Sequence, residues 1–189
     1  MWENAVVTAS IFTTRLKPHT DSHPETMAFW AKNQKQYDRT RVKAVDPKVA
    51  MVGYLAWMKK VSEGKSVSTM ALPAAYDKMF IQSYATKFGG KSPANSLDSV
   101  GAIDIETLIM AYKPTVSYVN IWDVKDVPKT MQQPGLTNSH NPLEDTLGQM
   151  VMGVNLLRHF HKLEPKLLDQ STVKEMFDAS NKQFGEMSK

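Results

Sequence analysis

The sequence predicts an α/β domain with at least part of its sheet parallel, and three observations carry that reading. Between Gly64 and Pro114, β-forming runs alternate with helical patterns in the order strand, helix, strand, helix, as in sheets whose strands are joined by crossover helices. The opening run "NAVVTASIFTTRLK" is rich in Val, Thr, Ile and Phe, which suit a pleated surface. The 189-residue length fits one domain whose core needs no disulfide or structural metal.

The opening run reads as one long strand or a pair of short ones. A single helix is expected over "PETMAFWAKNQKQYDRTR", with Ser22 and Glu25 as a capping box, Pro24 in the first turn, and Met27, Trp30 and Gln34 on one side. Asp46 and Pro47 start a second helix, "PKVAMVGYLAWMKKVSEG", in which Val49, Val52, Leu55, Ala56 and Lys59 approximate an apolar stripe and Gly64 marks the end. "KSVSTMAL" reads as a short buried strand and "PAAYDKMFIQSYATKFGG" as a helix closed by Gly89-Gly90. "SVGAIDI" is a further short strand and "ETLIMAYK" a helix stopped by Pro114.

Residues 114–139 show little periodicity and contain three prolines, which predicts a long loop with a functional role or high mobility. Asn141 and Pro142 then open a long helix with the stripe Leu143, Leu147, Met150, Val151, Val154 and Leu157. A last helix is expected over "STVKEMFDASNKQF", where Thr172 and Glu175 repeat the capping-box spacing.

Composition narrows the chemistry. With no cysteine, disulfide frameworks, thiolate zinc sites and cysteine nucleophiles are excluded. No apolar run reaches the roughly eighteen residues of a membrane span. The first ten residues lack the basic start and apolar core of a secretory signal, so the expected location is cytoplasmic, with no membrane partner. The formal charge of +4 leans toward a polyanionic partner. Lys32, Lys35, Arg39, Arg41 and Lys43 fall within twelve positions; they are spaced to track a phosphate backbone, and a solvated helix face accounts for them equally well.

Among single residues, His140 and Asp145 stand five apart across a helix start, where one rigid element aims an imidazole and a carboxylate together. Asp77 falls at a strand-to-helix junction, the place where α/β sheets present polar groups to ligands. Asp104 and Glu106 alternate like a pair of metal ligands on a strand, but their position fits a strand-end cap with an acid in the following helical turn. His159 and His161, two apart on a helix, point to different faces, and His19 with His23 flank a helix start, so neither pair reads as a zinc site.

Taken in order, "PETMAFWAKNQ", "ALPAAYDKMFIQSYATKFGGKSP", "AIDIETLIMAY" and "HNPLEDTLGQMVMGVNLLR" resemble the DEDD 3′-5′ exonucleases of the histidine subtype. The resemblance spans roughly 4–160 of a single domain over 1–189 and leaves a helical extension at 165–189. It implies an RNase H-like mixed sheet flanked by helices. It also implies carboxylates holding Mg²⁺ or Mn²⁺ for phosphodiester hydrolysis. Asp77 matches the second-motif aspartate, His140 the general base and Asp145 the last carboxylate, so Asp77 and Asp145 are the expected metal ligands. The implied partner is nucleic acid with a single-stranded 3′ end, held by Lys32, Lys35, Arg39 and aromatics such as Trp30 or Trp122.

The family's first motif, Asp-x-Glu on the first strand, has no counterpart ahead of Asp77. The first strand is therefore expected to be missing or replaced. The slot would be filled by the "NAVVTASIFTTRLK" run, by a strand from a neighbouring copy in a homo-oligomer, or by sequence upstream of this chain. Two carboxylates balance one dication better than two, so a single bound cation is expected. The alternative reading is a catalytically inactive nucleic-acid-binding or protein-interaction domain on the same scaffold.

Overall fold

The computed structural model describes residues 14–17, 23–65, 67–90, 101–115, 127–136 and 142–186. Their order is α1 (Pro24–Lys32), α2 (Gln34–Arg41), α3 (Pro47–Ser62), β1 (Thr69–Ala71), α4 (Ala74–Gly89), β2 (Ala102–Asp104), α5 (Ile105–Tyr112), a 3₁₀ turn (Lys129–Met131), α6 (Pro142–Phe160) and α7 (Gln170–Glu186). The class is mixed α/β, mostly helical, with a small sheet of two strands among the described residues.

β1 and β2 pair in parallel, with Thr69 opposite Ala102, Met70 opposite Ile103 and Ala71 opposite Asp104. Parallel neighbours need a crossover, and α4 lies in that connection. This is the strand-helix alternation legible between Gly64 and Pro114.

The core forms where the sheet, α5 and α6 meet. Ile105 and Ile109 of α5 pack with Met152 and Leu156 of α6, Leu72 after β1, and Val127 and Met131 around the 3₁₀ turn. Gly153 permits the closest approach: a Cβ there would collide with Met70 Sδ on β1 and lie 3.2 Å from the Ile105 side chain. Any larger residue would push α6 off the sheet.

Two buried amides stitch the later segments onto this core. Asn155 Nδ2 donates to Met131 O at 3.2 Å, and Asn155 Oδ1 accepts from Lys166 N–H at 2.7 Å. Gln133 Nε2 donates to Leu168 O and its Oε1 accepts from Leu168 N–H, both at 2.9 Å. Each side chain takes the place of a backbone partner, satisfying groups that burial would otherwise leave costly. The described part of the expected loop, 127–136, is thus anchored to the core by Val127, Met131 and Gln133, all buried, while Lys129, Thr130, Pro134 and Gly135 stay exposed.

Several local expectations shift. The single helix at 24–41 is two, broken at Asn33, whose backbone sits at φ −124°, ψ 39°. The Asn33 amide donates from Nδ2 to Phe29 O at 3.0 Å, the local competition that makes asparagine a helix breaker. The cap of α1 is His23, whose Nδ1 accepts from Glu25 N–H, in place of Ser22, which lies outside the described residues.

On α3, Asp46 caps as expected, accepting Lys48 N–H at 2.8 Å. The buried face, however, is Ala50, Met51, Met58 and Ser62, while Val49 and Val52 are 54% and 55% exposed. The period was legible but the phase was not. α3 packs on α4, where Gly89 admits Leu55 and Met51, and pliable methionines fill that contact better than the stiff valines. On α6, Leu147 and Val151 are buried as expected, and the buried face widens to Met152, Gly153, Asn155 and Leu156. The cap of α7 is Asp169, three residues ahead of the expected Thr172.

Of the opening run, the described part contributes one parallel bridge, Leu16 to Val45, closed by Lys17 N–H to Val45 O at 2.9 Å and Val45 N–H to Arg15 O at 2.7 Å. Residues 4–13 lie outside the described residues.

Candidate functional site

The C-terminal ends of β1 and β2 each turn directly into a helix, and each following helix begins beside an aspartate. At the β2 end, Asp104 caps α5: its Oδ2 accepts from Thr107 N–H at 3.2 Å and from Thr107 Oγ1 at 2.8 Å. Its Oδ1 reaches across the sheet and accepts from Ala74 N–H, the first residue of α4, at 3.1 Å. Both oxygens are thereby committed to holding two helix starts, and Glu106 lies in the first turn of α5. The expectation that Asp104 is a strand-end cap holds.

At the β1 end, α4 starts after Pro73 with no side-chain cap of its own, and Asp77 lies in its first turn. Burial of the carboxyl among neighbouring atoms pushes the Asp77 pKa up from the ordinary carboxylate range. Desolvation is the whole cause, although the residue as a whole keeps an exposed face.

Asp145 belongs to a different element, the first turn of α6. α6 runs antiparallel to β1: Gly153 sits against Met70, and Gln149 Oε1 accepts from Leu72 N–H at 3.3 Å. Four residues of helix rise about 6 Å and two of strand about 6.6 Å, so the two contacts keep step. Asp145 lies one further turn, about 6 Å of helix rise, toward the α6 N-terminus from Gln149. Asp145 is half-buried, with its Oδ1 enclosed. Asp145 and Asp77 thus lie on two helices that the Gln149–Leu72 bond links at the C-terminal end of β1, and in open α/β sheets the C-terminal strand ends form the ligand-binding edge.

His140 lies outside the described residues. Among the described residues, no group of three or more His, Asp or Glu side chains is arranged to hold a metal ion. Asp77 and Asp145 give two oxygen donors of the kind that Mg²⁺ and Mn²⁺ take.

The basic segment divides. Lys32 and Lys35 are exposed on α1 and α2. Arg41 is structural: its Nη1 donates to Leu16 O at 3.2 Å, and its guanidinium lies 4.8 Å from the Tyr37 ring centroid. The side chain of Arg39, like Trp122, lies outside the described residues. Trp30 is half-buried, edge-on to Phe29 at 5.2 Å and tilted against Tyr37 at 5.6 Å. His159 packs edge-on to Tyr112 at 4.9 Å, in keeping with a packing role.

Sequence reading missed Gln149, the side chain that joins the Asp145 helix to the turn before α4. Its spacing of four from Asp145 put it on the same helix face, but nothing in the residue types named its partner. No helix among the described residues is long and apolar enough to cross a membrane. Comparison with protein-family models, curated proteins and solved structures finds no match to this chain.

Proposed function

We propose that the chain is a metal-dependent 3′-5′ exonuclease with an RNase H-like fold, acting on single-stranded 3′ ends of nucleic acid. The observation that supports it most is the Gln149–Leu72 hydrogen bond, which joins the helix that carries Asp145 to the turn leading into the helix that carries Asp77. Asp77 and Asp145 would hold Mg²⁺ or Mn²⁺, which supplies an activated water and charge compensation on the phosphate. The two carboxylates orient that cation. His140, just ahead of α6, takes the proton of the attacking water, and exposed Lys32 and Lys35 attract the phosphate backbone.

The test is a 3′-labelled single-stranded oligonucleotide incubated with Mn²⁺ or Mg²⁺, with and without EDTA. Chelator-sensitive release of labelled mononucleotide, lost in Asp77→Asn and Asp145→Asn, is the expected result. The exposed lysines beside Trp30 favour a second reading, a non-catalytic binder of single strands; a retarded but intact oligonucleotide in the presence of either metal would select it.

A further inference from the structure

We infer that Gln149 is a positioning residue that sets the separation of Asp77 and Asp145, an inference that rests on the proposed cation site. Three facts lead to it. Gln149 lies one helical turn after Asp145 on α6, so the two share a face. Its Oε1 accepts the Leu72 N–H at 3.3 Å, a partly buried bond between residues 77 apart in sequence, and Leu72 leads through Pro73 into the helix that carries Asp77. Pro73 offers no N–H, and α4 has no side-chain cap of its own.

The start of α4 is instead held from outside, by Asp104 at Ala74 N–H and by Gln149 at Leu72 N–H. Of these two anchors, Asp104 ties α4 to β2 and α5, elements that carry neither carboxylate of the site. Gln149 ties α4 to the helix that carries Asp145. Removing its acceptor leaves the Leu72 N–H to find another partner, which lets the α4 turn and the α6 N-terminus drift apart. A pair of ligands on separate elements binds a cation well only when their separation is fixed before the cation arrives.

The experiment measures Mn²⁺ affinity of the full chain by titration calorimetry, alongside melting in EDTA. Gln149→Met, which keeps the length and loses the acceptor, is expected to weaken Mn²⁺ binding about 10- to 100-fold, the range for residues that orient metal ligands. Gln149→Glu, which keeps an oxygen for the Leu72 N–H, is expected to bind at least as tightly as wild type. Val173→Ala, which thins the buried face of α7 and removes neither partner of the Gln149–Leu72 bond, is expected to melt earlier and bind Mn²⁺ unchanged. Wild-type affinity in Gln149→Met, an equal loss in Gln149→Glu, or an equal loss in Val173→Ala would overturn the assignment. If Gln149→Met does not fold, Gln149→Asn, whose acceptor is one methylene short, takes its place with the same expectation. Wild type that takes up no Mn²⁺ at all would instead bring down the proposed cation site itself, and the role of Gln149 with it.

Discussion

The two strand-to-helix junctions at one sheet edge use their aspartates in opposite ways. Asp104 accepts three hydrogen bonds and stabilises two helix starts, whereas Asp77 lies exposed in the first turn of α4, and partial burial of its carboxyl raises its pKa. An acid at a strand end is thus informative only once its acceptor capacity is counted. A carboxylate whose oxygens are already engaged by backbone donors is scaffold, and one held short of partners is the candidate for chemistry.

Substitution at each position should separate them most sharply. Asp104→Ala removes the α5 cap and orphans the Ala74 N–H, for an expected loss of about 2–4 kcal/mol in chemical denaturation. A loss below about 0.5 kcal/mol would place Asp104 with Asp77 and erase the contrast. Gly153→Ala should cost about 1–3 kcal/mol by forcing Met70 and Ile105 from α6, weakening the packing that sets both junctions in register.

Asp77→Asn should leave stability at neutral pH unchanged or slightly higher. Because folding raises the Asp77 pKa, the folded state holds that proton more tightly than the unfolded chain. The destabilising contribution is absent below the ordinary carboxylate value of about 3.9, grows as pH rises through the raised pKa, and is complete above it. The melting temperature of Asp77→Asn relative to wild type, measured in EDTA, should climb over that window. A lower melting point at neutral pH would show that the charge is stabilised in the fold.

Asp169, at the start of α7, supplies the reverse case. Hydrogen bonds from Ser171 and Thr172 hold its carboxyl well below the usual range. Its contribution to stability is present above about pH 3.9 and is lost as pH falls toward the depressed folded value. Asp169→Asn should therefore flatten the acid limb of the stability profile, the smallest of these effects because the group is exposed. An acid limb identical to wild type would contradict it.

The sheet edge itself was legible because β1, α4, β2 and α5 announce themselves locally. "STMAL" and "AIDI" are short apolar runs bounded by glycine or proline, and Gly90 closes α4 in the left-handed conformation at φ 65°. The sequence order of Asp77 and Asp145 was equally plain. The long-range pairings were hidden: Gln133 to Leu168, Asn155 to Lys166 and Gln149 to Leu72 join positions 11 to 77 residues apart. An amide side chain looks the same in sequence whether it faces water or takes the place of a backbone partner. The phase of α3 was hidden for a related reason, since either face reads as apolar until Gly89 of α4 selects the one with Met51 and Leu55.

The claim on which the functional reading stands is that Asp77 and Asp145 hold one cation between them. A double-mutant cycle on Mn²⁺ affinity, using Asp77→Asn, Asp145→Asn and the pair together in the full chain, tests this most directly. The account predicts that each single change removes nearly all binding and that the double variant loses little more. Losses that simply add, or wild-type Mn²⁺ affinity in either single variant, would mean that the two carboxylates do not share a site.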